Sequence, residues 1–124
     1  MFRKMIPLIS AGLLAFSVAA GAQMMPAKAA ADGTLTDAKG MTLYTFDRDA
    51  GGKSACNGPC ATNWPPLMAA ADAKAAGDWT VITRDDGSKQ WAYKGKPLYT
   101  WAKDAKPGDK TGDNVNNVWH TAKQ

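Results

Sequence analysis

The sequence predicts a mainly β fold: a small antiparallel domain made of two pseudo-repeats, with one short helix between them. Three observations lead there. Short runs of β-branched and aromatic residues alternate with Gly- and Asp-containing turn signals. The heptad LYTFDRD (Leu43–Asp49) returns as LYTWAKD (Leu98–Asp104). The same shift along the chain also carries Lys39-Gly40 onto Lys94-Gly95, Phe46 onto Trp101 and Trp64 onto Trp119. Asp32-Gly33 meets Asp86-Gly87 at a slightly smaller shift, which marks one inserted residue. Two copies are too few for a solenoid, so they are expected to pack against each other as one domain.

The chain opens with Arg3 and Lys4, an apolar run over Met5–Ala20, and Ala20-Gly21-Ala22, an A-x-A cleavage site. Residues 1–22 therefore read as a secretory signal peptide. The apolar run is shorter than the ~20 residues a membrane-spanning helix needs. Residues 23–31, QMMPAKAAA, read as a disordered lead-in, and residues 32–124 as the domain, with repeats at about 32–66 and 79–122. Within it, Gly33–Phe46 reads as two strands turning at Lys39-Gly40. Asp78–Trp101 reads as three strands turning at Asp85-Asp86-Gly87 and Lys94-Gly95. Alanine-rich Pro66–Asp78, with Gly77 as a stop, is the expected helix. Asn116–Lys123 is the expected last strand.

These residues resemble the secreted-repeat family of bacterial predicted lipoproteins with a Y-x-[FWY]-x-x-D motif. Both copies fit, at Tyr44-Thr45-Phe46-Asp47-Arg48-Asp49 and Tyr99-Thr100-Trp101-Ala102-Lys103-Asp104. CNGPCATNWPPL, DGSKQWAYKGKPLYTW and PGDKTGDNVNNVWH also resemble blocks of that family, from about Gly33 to Ala122. The resemblance implies an exported bacterial protein of two repeats and brings no established activity. Many relatives are lipoproteins, but here no cysteine lies near the cleavage site, so no lipid anchor is expected. The protein is expected in the periplasm or outside the cell.

In an oxidising compartment the chain's two cysteines, Cys56 and Cys60, form the simplest of pairs: a disulfide around the turn Asn57-Gly58-Pro59. C-x₃-C lacks the spacing of thiol–disulfide exchangers and of zinc pairs, and covalent haem would need C-x-x-C-H. Cys56, Cys60, Met68 and His120 are residue types that suit copper, so a redox or copper-handling protein is the alternative reading. Calcium is suggested by the Asp-rich loops Asp47–Gly52 and Asp104–Asn114, but neither has EF-hand spacing and the chain contains no Glu. No cofactor is expected. No catalytic residue is expected either: a nucleophile elbow, a phosphate loop and a pair of glutamates are all lacking. The lysines are scattered, so nucleic acid is not expected as a partner despite a net charge of +4.

Side chains alternate along a strand, so Tyr44 with Phe46, and Tyr99 with Trp101, each share a face opposite Leu43 or Leu98. Asp49 and Asp104 fall just past the strand, where a carboxylate can accept backbone N–H bonds and order a turn. The aromatics then pack the core. The functional reading makes Tyr44, Phe46, Tyr99, Trp101, Trp64 and Trp119 platforms for an unknown small molecule or envelope component, with Asp49 and Asp104 as polar anchors and His120 nearby. A non-catalytic binding or envelope-associated module is the resulting expectation, with any single site where the two unequal loops meet.

Overall fold

The computed structural model describes residues 27–124; the expected signal peptide and residues 23–26 lie outside them. Eight short strands run in chain order. They are β1 (Lys28–Ala29), β2 (Leu35–Thr36), β3 (Tyr44–Phe46), β4 (Met68–Ala69), β5 (Trp79–Thr83), β6 (Lys89–Tyr93), β7 (Lys96–Pro97) and β8 (Trp119–Thr121). Among the described residues one helix, α1 (Pro59–Asn63), follows β3, and a 3-10 turn at Val115–Asn117 precedes β8. All pairings are antiparallel.

The repeats are related by a pseudo-twofold axis between Tyr44 and Tyr99. Tyr44 N–H donates to Tyr99 O (2.8 Å) and Tyr99 N–H returns to Tyr44 O (3.0 Å). Bonds then recur in matched pairs. Asp47 N–H to Val118 O (2.8 Å) corresponds to Ala102 N–H to Asn63 O (2.9 Å). Ala122 N–H to Leu43 O (2.8 Å) corresponds to Leu67 N–H to Leu98 O (2.9 Å). Each heptad strand therefore pairs with the closing segment of the other repeat: β3 with β8, and the segment after Leu98 with Asn63–Leu67. The repeats are interlocked, so neither has a complete sheet alone.

Two expectations need correction. Within the expected lead-in, Lys28–Ala29 is ordered as β1 and pairs with β2. The β1–β2 hairpin is the counterpart of β5–β6. Ala30 N–H to Thr34 O and Arg84 N–H to Ser88 O, both 2.8 Å, occupy matching places in the two repeats. Each hairpin turn is headed by an aspartate that accepts an N–H two residues on, Asp32 from Thr34 and Asp86 from Ser88. The second correction concerns the helix, which is Pro59–Asn63 and not Pro66–Asp78. Proline at its first turn suits helix initiation. In the alanine-rich segment Pro66 bridges to Tyr99, Met68–Ala69 pairs with β6 and the remainder is turns and loop, because the repeat needs an edge strand there and no apolar stripe holds a helix down.

Strand alternation places two cores on opposite faces. Leu35, Leu43, Trp79, Leu98 and Ala122 form one. Tyr44, Cys56, Trp64, Tyr99 and Trp119 form the other, flanked by Phe46, Cys60 and Trp101. At its centre four rings stack in the order Phe46, Trp119, Trp64, Trp101, with centroid spacings of 4.1, 3.7 and 3.9 Å. The order is palindromic about the pseudo-axis. Gly112 lies against this stack, where a Cβ would come within 2.8 Å of Trp64 Cη2, so only glycine fits there.

Candidate functional site

The repeated aromatic and acidic residues meet across the two repeats. Tyr44 donates to Asp104 Oδ2 and Tyr99 donates to Asp49 Oδ2, each at 2.7 Å. The remaining carboxylate oxygens order the following loops. Asp49 Oδ1 accepts from Ala55 N–H (2.6 Å), and Asp104 Oδ1 accepts from Thr111 N–H (3.0 Å) and the Thr111 hydroxyl. The heptad therefore closes a reciprocal lock: each tyrosine holds the carboxylate that shapes the other repeat's loop.

Both tyrosines are fully buried. Burial is the first cause that drives each phenol well above its ordinary value, and the adjacent carboxylate adds to it. Burial also holds the Asp49 carboxyl above the usual carboxylate range, against bonds from Ala55 and Tyr99 and the charge of Arg84. The two phenols predict an alkaline transition. Unfolded tyrosines lose their protons near pH 10 while the native ones keep theirs, so stability falls as pH rises beyond that point. The slope is about 1.4 kcal/mol per pH unit for each tyrosine. Phenolate absorbance and circular dichroism, followed together, should show the Tyr44 and Tyr99 protons leaving only as the fold is lost.

Trp64 and Trp119 are buried and Phe46 and Trp101 are half-buried. The structure thus places the expected platform inside the second core, with only the ends of the stack reaching solvent. Cys56 and Cys60 are joined in a disulfide. The loop they close is fastened by Arg84, which is itself buried. Its guanidinium donates to Cys56 O (2.6 Å), Asn57 Oδ1 (3.2 Å), Ser54 Oγ (3.0 Å) and Gln90 Oε1 (2.8 Å). Sequence inspection passes over this arginine, since only the fold brings it to Cys56.

Met68 lies on β4 and His120 on β8, on different sheets. Among the described residues no cluster of three or more His, Cys, Asp or Glu is placed to hold a metal ion. The aspartates of the two acid-rich loops are turned elsewhere. Asp109 accepts from Ala105 and Lys106 N–H, and Asp113 from Thr121 N–H.

A recess lies over β3 and β8. Strand register sets Thr45 opposite His120, and β7 with the Lys94-Gly95 turn forms the facing wall. Both turn residues have positive φ in the left-handed region, which suits a tight hairpin. The recess holds about 290 Å³. At its rim His120 Nε2 is 2.8 Å from Asp47 Oδ2. The single histidine therefore meets Asp47, and neither Asp49 nor Asp104. Lys94, Lys96 and Lys123 complete the charged lining above a floor of Leu98 and Ala122. A second hollow of about 220 Å³ continues from the first, sharing Thr45, Asp47 and Lys96. These lysines are scattered along the chain, and the signal that could have found them is a difference between the repeats.

A family model described as a secreted repeat of unknown function matches residues 27–68 and again residues 80–123. The two matched spans coincide with the two interlocked units. Comparison with curated proteins and with solved structures gives no match. Among the described residues no helix is long and apolar enough to cross a membrane.

Proposed function

Because the chain belongs to this family of secreted repeats of unknown function, we propose that it is an exported, non-catalytic binding module acting in the bacterial envelope or outside the cell, its signal peptide removed after Ala22. The binding site in this reading is the recess over β3 and β8. The carrying observation is that the duplicated tyrosines and aspartates are engaged with each other, while this recess keeps cationic side chains free of ion pairs at a solvent-open mouth. Its volume suits a small molecule or the end of a larger one.

The test is a set of amide NMR spectra of the processed protein with envelope-derived compounds, including muropeptides, neutral sugars and phospholipid fragments. Shifts should concentrate at Thr45, Lys94–Lys96, His120 and Thr121. If no compound moves those amides, the recess is not a binding site and the reading falls.

A further inference from the structure

The pseudo-symmetry gives the molecule an internal control. The backbone positions that build the recess have counterparts on the other repeat, and matching hydrogen bonds hold the two sets. At four of those positions a charged or ionisable residue faces an apolar one. Lys96 corresponds to Met41, Lys123 to Met68, His120 to Pro65, and Asp47 to Ala102. The fold itself accepts an apolar residue at every one of these sites. Packing therefore does not require these four, and their concentration in one recess calls for another explanation; Lys94, whose counterpart is Lys39, is common to both repeats.

We propose that the recess is an anion site for a phosphate-bearing ligand, the phosphate held between Lys96, Lys123 and Lys94. This proposal rests on the binding-module reading above and names its ligand class. Three lysines face a single aspartate, so the lining is net positive. That aspartate meets His120 at 2.8 Å and forms no ion pair with any of the three lysines. Among the described residues the ion pairs are Lys110–Asp32 and His120–Asp47, and none involves the three lysines. Two of the three are nevertheless positioned. Lys94 Nζ stands 5.3 Å from the centroid of the Tyr93 ring, and Lys123 Nζ is 3.2 Å from Thr34 Oγ1. Lysine serves phosphate as a compact point charge with three donors, and convergence of several such charges raises the local concentration of an anion. The half-buried Tyr93 ring offers an apolar surface to whatever carries the phosphate.

Two sources share this chemistry, a soluble phosphate ester and an anionic phospholipid headgroup. The experiment titrates the processed protein with inorganic phosphate, following amide NMR shifts. In parallel the protein is sedimented with vesicles of phosphatidylglycerol and phosphatidylcholine, against vesicles of phosphatidylcholine alone. The variants Lys96→Met and Lys123→Met install what the other repeat carries, so they are expected to fold. Shifts at Lys94, Lys96, His120 and Lys123 should saturate together and weaken with added salt. Each variant should weaken binding about fivefold, as expected for one exposed charge contact, and the double variant should weaken it further than either alone. Saturation by phosphate without vesicle binding identifies a soluble ester. Vesicle binding that needs phosphatidylglycerol and is lost in the double variant identifies the headgroup. Failure of both probes, or a double variant that binds like the parent, overturns the proposal. If neutral compounds still occupy the recess in that case, the binding module survives and only its ligand class is wrong.

Discussion

Replacing Asp104 with alanine should lower the unfolding free energy by about 3 kcal/mol, as expected when buried donors lose their acceptor. Asp104 is 8% exposed and accepts from the Tyr44 hydroxyl, the Thr111 N–H and the Thr111 hydroxyl. Of these the Tyr44 hydroxyl is the costliest to strand, because its ring is fully buried and its oxygen already accepts from Gly112 N–H (3.2 Å). The Thr111 groups lie near the surface and can turn to water. Asp104→Asn keeps one acceptor oxygen and should cost roughly half as much. Tyr44→Phe removes the donor with its acceptor left partly satisfied, so the double variant with Asp104→Ala should be less destabilised than the sum, by about 1 kcal/mol. Urea denaturation of the parent, the two single variants and the double variant measures this. Strict additivity, or a loss under about 0.5 kcal/mol for Asp104→Ala, would show that the lock is not holding the repeats together.

That lock marks the boundary of what the sequence discloses. Alternation in LYTFDRD and LYTWAKD puts tyrosine and leucine on opposite faces, and the two cores divide in that way. The expectation that each aspartate pins its own loop describes one carboxylate oxygen of each pair. The other oxygen reaches a tyrosine far away in the chain, and no local pattern encodes that partner. The same limit explains the hairpins. WTVIT has high strand propensity and is recognised at once, whereas its counterpart around Lys28-Ala29 is alanine-rich and looks unstructured. Tertiary pairing supplies what local propensity lacks. It also overrides the helical bias of Pro66–Asp78, where an edge strand is needed. The recess is less legible still. His120 stands out as the sole histidine, but its partner Asp47 and the lysines beside it come from separate segments of the chain.

Trp64→Ala is expected to be the most damaging substitution in the domain, at about 3–5 kcal/mol, against a total stability of roughly 5–15 kcal/mol for such domains. Trp64 is 4% exposed, lies 3.7 Å from Trp119 and 3.9 Å from Trp101, and meets Tyr44 edge-on at 5.4 Å. Its removal opens a cavity in the middle of the ring stack and uncovers the Tyr44 ring that supports the Asp104 bond. Trp119 occupies the matching place, parallel to Trp64 within 2° and edge-on to Tyr99 at 5.1 Å. If the core is as symmetric as its backbone, Trp119→Ala should cost the same within about 1 kcal/mol. Trp101→Ala should cost less, since that ring ends the stack and is half-buried. Denaturation supplies the energies, and near-ultraviolet circular dichroism supplies an independent readout. Two parallel indoles in contact couple electronically, and the coupling needs both, so either inner substitution should abolish the same spectral feature while Trp101→Ala leaves most of it. A feature that survives Trp64→Ala, or a Trp101 cost above that of Trp64, would mean that the inner pair is not the centre of the core.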